Sequence, residues 1–343
     1  MSRRAGLLVA GTIVAALLVG LLLAASDLRS LRAHLAGASP GYVALAALCA
    51  VLSYACIAGT QLALLRALGA HPPAAFLLRA SLVATTVSRF LRSGGASGVA
   101  FLAWALARRG VPARATVTAG IGIVLLNDLV FAGLLLVGLA FLATQPQPAP
   151  TGLVIAYVLG ALGLGAMFLV AWTALRRPRT RERFGEALAA LAGRIGRRFR
   201  RPGWREVVRA SLSSVGDATH ELLGRPRATA WAWPWAIARV TFSLLALAAC
   251  ARAVDARVGA SALVIVFTAA KLVGTISIVP GGIGIADGSV AGLLTLFGAS
   301  YEAALAAALL HRLAYHVVPA IVAALLAGPL LGEALRPRPP AAA

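Results

Sequence analysis

In 343 residues the chain is 60% hydrophobic and only 13% charged, with a mean hydropathy of +0.87. A soluble globular domain carries roughly 25% charged residues, so that class is excluded and a polytopic membrane protein remains. The net charge of +21 is almost wholly arginine, because Lys271 is the only lysine, and the arginines gather at the ends of apolar runs, as membrane topology and an anionic lipid surface require.

Ser2-Arg3-Arg4 precedes an apolar run from Ala5 to Ala25. A signal-peptide core is about 7–15 residues, so this longer run reads as a first transmembrane helix with its N-terminus inside, not as a secretory or twin-arginine leader. Asp27, Arg29, Arg32 and His34 follow on an external loop, and Gly41 to about Leu65 returns to the cytoplasm at Arg66. Cys49, Cys56 and Cys250 fall in apolar runs with no metal-ligand spacing and read as small buried residues.

From Ala74 to Arg109 two half-length apolar arms flank Arg92-Ser-Gly-Gly-Ala-Ser-Gly98. This predicts a re-entrant hairpin that enters from the cytoplasm and returns there, with Arg89 and Arg92 near its tip. Ala113 to Ala143 spans with tilt, carries Asn127-Asp128 midway and ends in the uncharged external turn 145–150. Gly152 to Leu175 crosses back to Arg176-Arg177-Pro178-Arg179, a cytoplasmic marker.

Residues 176–227 hold fourteen arginines against five acids. Within them Phe184, Leu188, Leu191, Ile195 and Phe199 recur at helical spacing, predicting a basic amphipathic helix on the inner leaflet. A solvated connector that merely fixes topology is the plainer alternative, and nucleic-acid binding lacks any supporting fold motif.

Ala228 to Ala251 is the next span, with Trp231, Trp233 and Trp235 where an interfacial aromatic belt belongs. The run from Gly259 is then broken by Pro280, Gly281, Gly282 and Gly284 and carries a carboxylate at Asp287 before apolar residues resume. Non-helical backbone at membrane depth survives only inside protein or along a wet cavity, so the break is a candidate site. Tyr301 to Leu326 crosses to a cytoplasmic Pro/Ala-rich tail, read as disordered over 336–343.

Shifted by 187 or 188 residues, Gly94-Gly95 falls on Gly281-Gly282, and Arg109-Gly110-Val111 on Phe297-Gly298-Ala299. The unit is span, hairpin, span, occurring at about 41–143 and about 228–328 within one transmembrane domain of residues 1–335. By the arginine placement the first unit begins outside and the second inside. The predicted fold is therefore an all-α polytopic membrane protein with inverted repeats and two re-entrant broken-helix hairpins.

Pro280-Gly-Gly-Ile-Gly-Ile-Ala-Asp287 is similar to the P-G-G-x-G-x-x-E of the lysylphosphatidylglycerol synthase/flippase family, whose transmembrane domain also occurs alone. Gly298, Ala303, Leu310-His-Arg312-Leu-Ala-Tyr315 and Pro319 resemble that family's following segment. Asp287 stands where glutamate is usual, and Ser93 where proline is frequent. The chain leaves no room for the soluble aminoacyl-transferase domain of the full synthases, so the resemblance implies lipid translocation rather than lipid aminoacylation.

The ionisable residues expected at depth are Arg89, Arg92, Asp128, Arg239, Lys271, Asp287, His311, Arg312 and His316. Such charges face the interior and pair. Asp287–Arg312 and Asp128–Arg89 are the expected pairs, and holding hairpins to helices would be sufficient reason for them. In the functional reading, Arg92, Lys271 and Arg312 receive a lipid phosphate, with Arg89, Asp128, Tyr315 and the amides of Gly281, Gly282 and Gly284 around it. No catalytic, cofactor or metal residues are assigned; a membrane-embedded transferase acting on a lipid phosphate and a non-transporting accessory subunit are the alternatives. The expected partners are an anionic phospholipid or lipid-linked phosphate and the plasma membrane itself, without nucleic acid. Both termini are expected in the cytoplasm, and a homo-oligomer is allowed.

Overall fold

The computed structural model describes residues 26–90, 96–145, 150–176, 186, 190, 220–222, 224–276 and 284–335. The expected first span, most of the arginine-rich segment with its amphipathic helix, and the 336–343 tail lie outside them. Among the described residues every regular element is helical: α1 (Leu28–Ala36), α2 (Pro40–Ala67), α3 (Ala74–Phe90), α4 (Ala96–Ala107), α5 (Ala113–Ala143) and α6 (Thr151–Arg176). There follow α7 (Pro226–Ala230), α8 (Ala232–Ala253), α9 (Ala260–Ile276), α10 (Ile285–Leu296), α11 (Tyr301–Arg312), a π-helical turn (Leu313–Val317) and α12 (Val318–Leu335). Helix α2, helix α5, α7 with α8, and α11 through α12 are each long and apolar enough to cross a membrane.

One stretch read as loop is helix. Asp27 accepts from the Arg29 N–H at 2.9 Å and so caps α1, while His34 Nδ1 lies 2.9 Å from the Ser30 carbonyl in the last turn. Leu31 anchors this short helix on the cluster formed by α8, α9, α10 and α11. With one strong cap and one buried leucine, its helicity depends on that tertiary contact, which local polarity does not reveal.

The scaffold is the seam between α2 and α8. The Ser39 N–H donates to Ala253 O at 2.8 Å, Ala46 packs with Cys250, Ser53 meets Ser243 at 3.1 Å, and Gly59 faces Trp235. Rising number on one helix meets falling number on the other, so the helices that open the two units run antiparallel. The two units therefore start at opposite ends of the molecule.

The helix ends within the two units repeat the same backbone device. After α2 and α8 the amides of Ala70 and Ala256 reach back five residues to Leu65 O and Ala251 O, each at 2.9 Å. After α4 and α10 the amides of Val111 and Ala299 reach Leu106 O and Leu294 O, each at 3.1 Å. Such caps need one residue in the left-handed region. Gly69, Gly110 and Gly298 supply it at φ 82°, 84° and 98°, and Asp255 at 54°. Arg257 hydrogen-bonds the exposed Asp255 carboxylate and holds it below the usual carboxylate range, but an exposed pair of this kind contributes little to stability.

The two broken-helix hairpins are α3–α4 and α9–α10. Each packs within itself, against its own unit, and against the last helix of the other unit: α3 against α12, and α9 against α5. At the base of the first hairpin the Arg109 guanidinium lies 4.6 Å from the Phe76 ring centroid. Further in, the arms touch backbone to backbone, because a Cβ on Gly98 would lie 2.0 Å from Ser88 Oγ and 2.3 Å from Ala84 O.

Gly98→Ala is therefore expected to lower the apparent Tm in detergent, at a cost of about 1–3 kcal/mol for overpacking against backbone that cannot move aside. Gly133→Ala, with nothing within 4 Å of its Cβ position, should be neutral or slightly stabilising. Equal melting of the two variants would refute the tight hairpin.

Candidate functional site

Helix α10 begins in the interrupted stretch, at Gly284, whose φ of 82° suits glycine. Three residues on, Asp287 turns back: its Oδ2 accepts from the Gly284 N–H at 3.0 Å. The carboxylate thus satisfies an amide that a helix start leaves without an intrahelical partner, at the end where the helix dipole favours negative charge. Its other oxygen, Oδ1, accepts from Arg312 Nε at 2.6 Å. The two side chains are only 10% and 17% exposed, so this is a buried, charge-assisted contact between α10 and the last turn of α11.

Arg312 leads directly into the π-helical turn, which the sequence reading did not anticipate. A π turn widens the helix and re-aims its side chains, here Tyr315. The Tyr315 hydroxyl lies 2.8 Å from Ser53 Oγ and 2.6 Å from Ser243 Oγ, so one phenol joins the opening helices of both units. Ser53 also donates to Arg239 O at 3.2 Å, and Ser243 to the same carbonyl at 3.0 Å. The Tyr54 hydroxyl donates to Tyr315 O at 3.1 Å and ties the π turn to α2. The His311 ring stacks on Tyr315 with centroids 5.5 Å apart. His316 meets both rings edge-on.

A second charged group lies where α5, α8 and α9 meet. Lys271 Nζ sits 4.1 Å from the Phe131 ring centroid, a cation–π contact. Asp128 interacts electrostatically with Lys271 and with Arg239. The side chain of Arg89, the partner expected for Asp128, lies outside the described residues, as do Arg92, Gly281 and Gly282. Beside Asp128, the buried Asn127 Oδ1 has no hydrogen-bond partner among the described residues.

The structure thus joins Asp287, Gly284 and Arg312 in one contact and leads from it through the π turn to Tyr315. Apart from it, the charges of Lys271 and Asp128 interact across the two units, with Lys271 over the Phe131 ring. Sequence reasoning missed Ser53, Tyr54, Ser243 and Phe131, and gave Arg239 no role. Serines and aromatics on apolar helices are common, and only the antiparallel pairing of α2 and α8 makes these converge. Among the described residues no three His, Cys, Asp or Glu side chains gather in a metal-binding cluster.

Residues 7–323 match a family model described as lysylphosphatidylglycerol synthase TM region. The match spans every residue of the contacts above. No curated protein matches the chain.

A double-mutant cycle on apparent Tm in detergent tests the buried pair. Asp287→Asn and Arg312→Gln should each cost about 3–5 kcal/mol, because each strands the other charge, and the double variant should lose clearly less than the sum. Additive losses would mean that the two side chains do not interact.

Proposed function

This chain belongs to the lysylphosphatidylglycerol synthase transmembrane family, an integral membrane group with a lipid-related role, and on that premise we propose that it moves an anionic phospholipid or polyprenyl-phosphate-linked lipid between leaflets. The observation that carries this reading is the Asp287–Arg312 pair, buried where a broken hairpin meets a π-interrupted helix. A charge at the bilayer centre costs roughly 2.5–3.5 kcal/mol on insertion scales, so a carboxylate beside a guanidinium keeps it tolerable while no lipid is bound. A lipid phosphate is the ligand best able to replace that carboxylate, since guanidinium recognises both by the same planar fork.

In this mechanism the phosphate takes the place of Asp287 on Arg312. The carboxylate stays anchored through Oδ2 to the Gly284 amide. Lys271, balanced by Asp128, provides a second cationic station on the other arm of the same hairpin. Arg89, Arg92 and the amides of Gly281 and Gly282 complete the head-group path, and Tyr315 holds the π turn between the units. Because the units are antiparallel, hairpin bases lie at opposite ends of the molecule, and a head group reaching the centre from one end can leave by the other.

Arginine placement supports an orientation: Arg66, Arg108, Arg109, Arg114, Arg225 and Arg227 lie at the end where α2 finishes and α8 starts, and the positive-inside rule favours that end, with both termini, as the cytoplasmic side of the plasma membrane.

Purified protein in liposomes tests the proposal, with labelled phosphatidylglycerol scrambled between leaflets as the readout. Scrambling should exceed that of protein-free liposomes, and Arg312→Gln, checked for native elution and helicity, should slow it about tenfold or more. A rate no greater than the protein-free rate would contradict translocation. Conversion of the labelled lipid to a product would favour a membrane-embedded transferase.

A further inference from the structure

At the arginine-rich end a groove of about 450 Å³ runs along the α2–α8 seam. Its trough is formed by Gly59, Leu62 and Ala63 of α2 with Trp231 and Trp235, and Arg66 stands on its rim. Gly59 shapes the floor: a Cβ there would lie 2.5 Å from Trp235 Cδ2, so the indole rests on bare helix backbone. Even so, Trp231 and Trp235 remain 75% and 45% exposed. A second guanidinium lies next to the rim, where Arg225 Nη1 donates to Ala67 O at 2.6 Å. None of the described residues lining the groove is acidic.

From this we propose a binding site for one anionic phospholipid of the adjoining leaflet, its phosphate at Arg66 and its chains against Trp231 and Trp235. Three features commit the site to a lipid. Both walls belong to apolar spans, so the surrounding medium is hydrocarbon. Tryptophan is the side chain that favours the head-group boundary, with an apolar body and a polar N–H. Among the described residues the groove's lining carries Arg66 and no carboxylate, which favours a phosphate and disfavours the cationic part of a zwitterionic head group. Free phosphate would gain nothing from the trough. The site is distinct from Asp287–Arg312 and is independent of whether the protein translocates lipid, although Arg239 lies only one helical turn beyond Trp235 on the same seam.

The experiment uses the full chain in bilayers, with Trp104, Trp172, Trp204 and Trp233 replaced by phenylalanine so that Trp231 and Trp235 report. Quenching by brominated phosphatidylglycerol is compared with quenching by brominated phosphatidylcholine, and retention of the two unlabelled lipids by the natural chain is compared by native mass spectrometry. Preference for the anionic lipid should be about fivefold, the value of one surface arginine, and should persist in Arg66→Lys and in Arg312→Gln. Arg66→Gln, an exposed position, should bring it close to one. Equal quenching by both lipids, an unchanged preference in Arg66→Gln, or no quenching by either because protein covers the groove would each overturn the proposal. Loss of scrambling in Arg312→Gln with the groove preference intact would separate the two sites.

Discussion

An interrupted helix inside hydrocarbon must satisfy its own backbone and charge, and in this protein Asp287 does both with two oxygens. Oδ2 accepts the Gly284 amide that the break exposes, and Oδ1 accepts from Arg312 Nε on the neighbouring helix. Because Arg312 opens into the π turn, the same contact fixes where that turn begins. The hydroxyls of Tyr54 and Tyr315 then secure the widened turn against α2 and α8. The break, the ion pair and the hydroxyl cluster form one connected arrangement, and each satisfies polar groups that water cannot reach.

The seam beneath that arrangement is built for close approach rather than for strong adhesion. Cys49, Ala50 and Ala246 form part of it, and Gly59 admits an indole against the backbone. Small residues give van der Waals contact between helices in lipid, and interhelical hydrogen bonds there average only about 0.6 kcal/mol each. A seam held by several such bonds remains fixed as a set, yet no single bond is costly to exchange.

Much of the fold can be read from residue order alone. Apolar length and arginine punctuation placed α2, α5, α6 and the span made by α7 with α8 within about two residues of their observed ends, because a spanning helix is bounded by the thickness of the hydrocarbon. The paired short arms of α3–α4 and α9–α10 were legible because glycine and proline clusters, which lie largely outside the described residues, divide the apolar runs. Gly110 and Gly298, matched by the repeat, turn out to occupy the same left-handed cap. The ion pair was legible because a buried charge needs a partner, and Asp287 in the second hairpin has Arg312 on the helix that follows it. The π turn was not, since Leu313 to Val317 carries no signal distinguishing a five-residue turn from an ordinary helical one. Nor were Ser53 and Ser243 legible, for their meaning lies in a contact between residues 190 positions apart. The setting of Lys271 also depends on tertiary placement: its neighbours include the ring of Phe131 and the charges of Asp128 and Arg239, brought to it by helix packing.

The most direct test is a map of the protein in nanodiscs of anionic phospholipid, at a resolution that shows side chains and head groups. The account predicts a phosphate within hydrogen-bond distance of the Arg312 guanidinium, Asp287 released from Nε, and the carboxylate still held by the Gly284 amide. An Asp287–Arg312 contact intact at 2.6 Å, with ordered lipid confined to the perimeter, would contradict it.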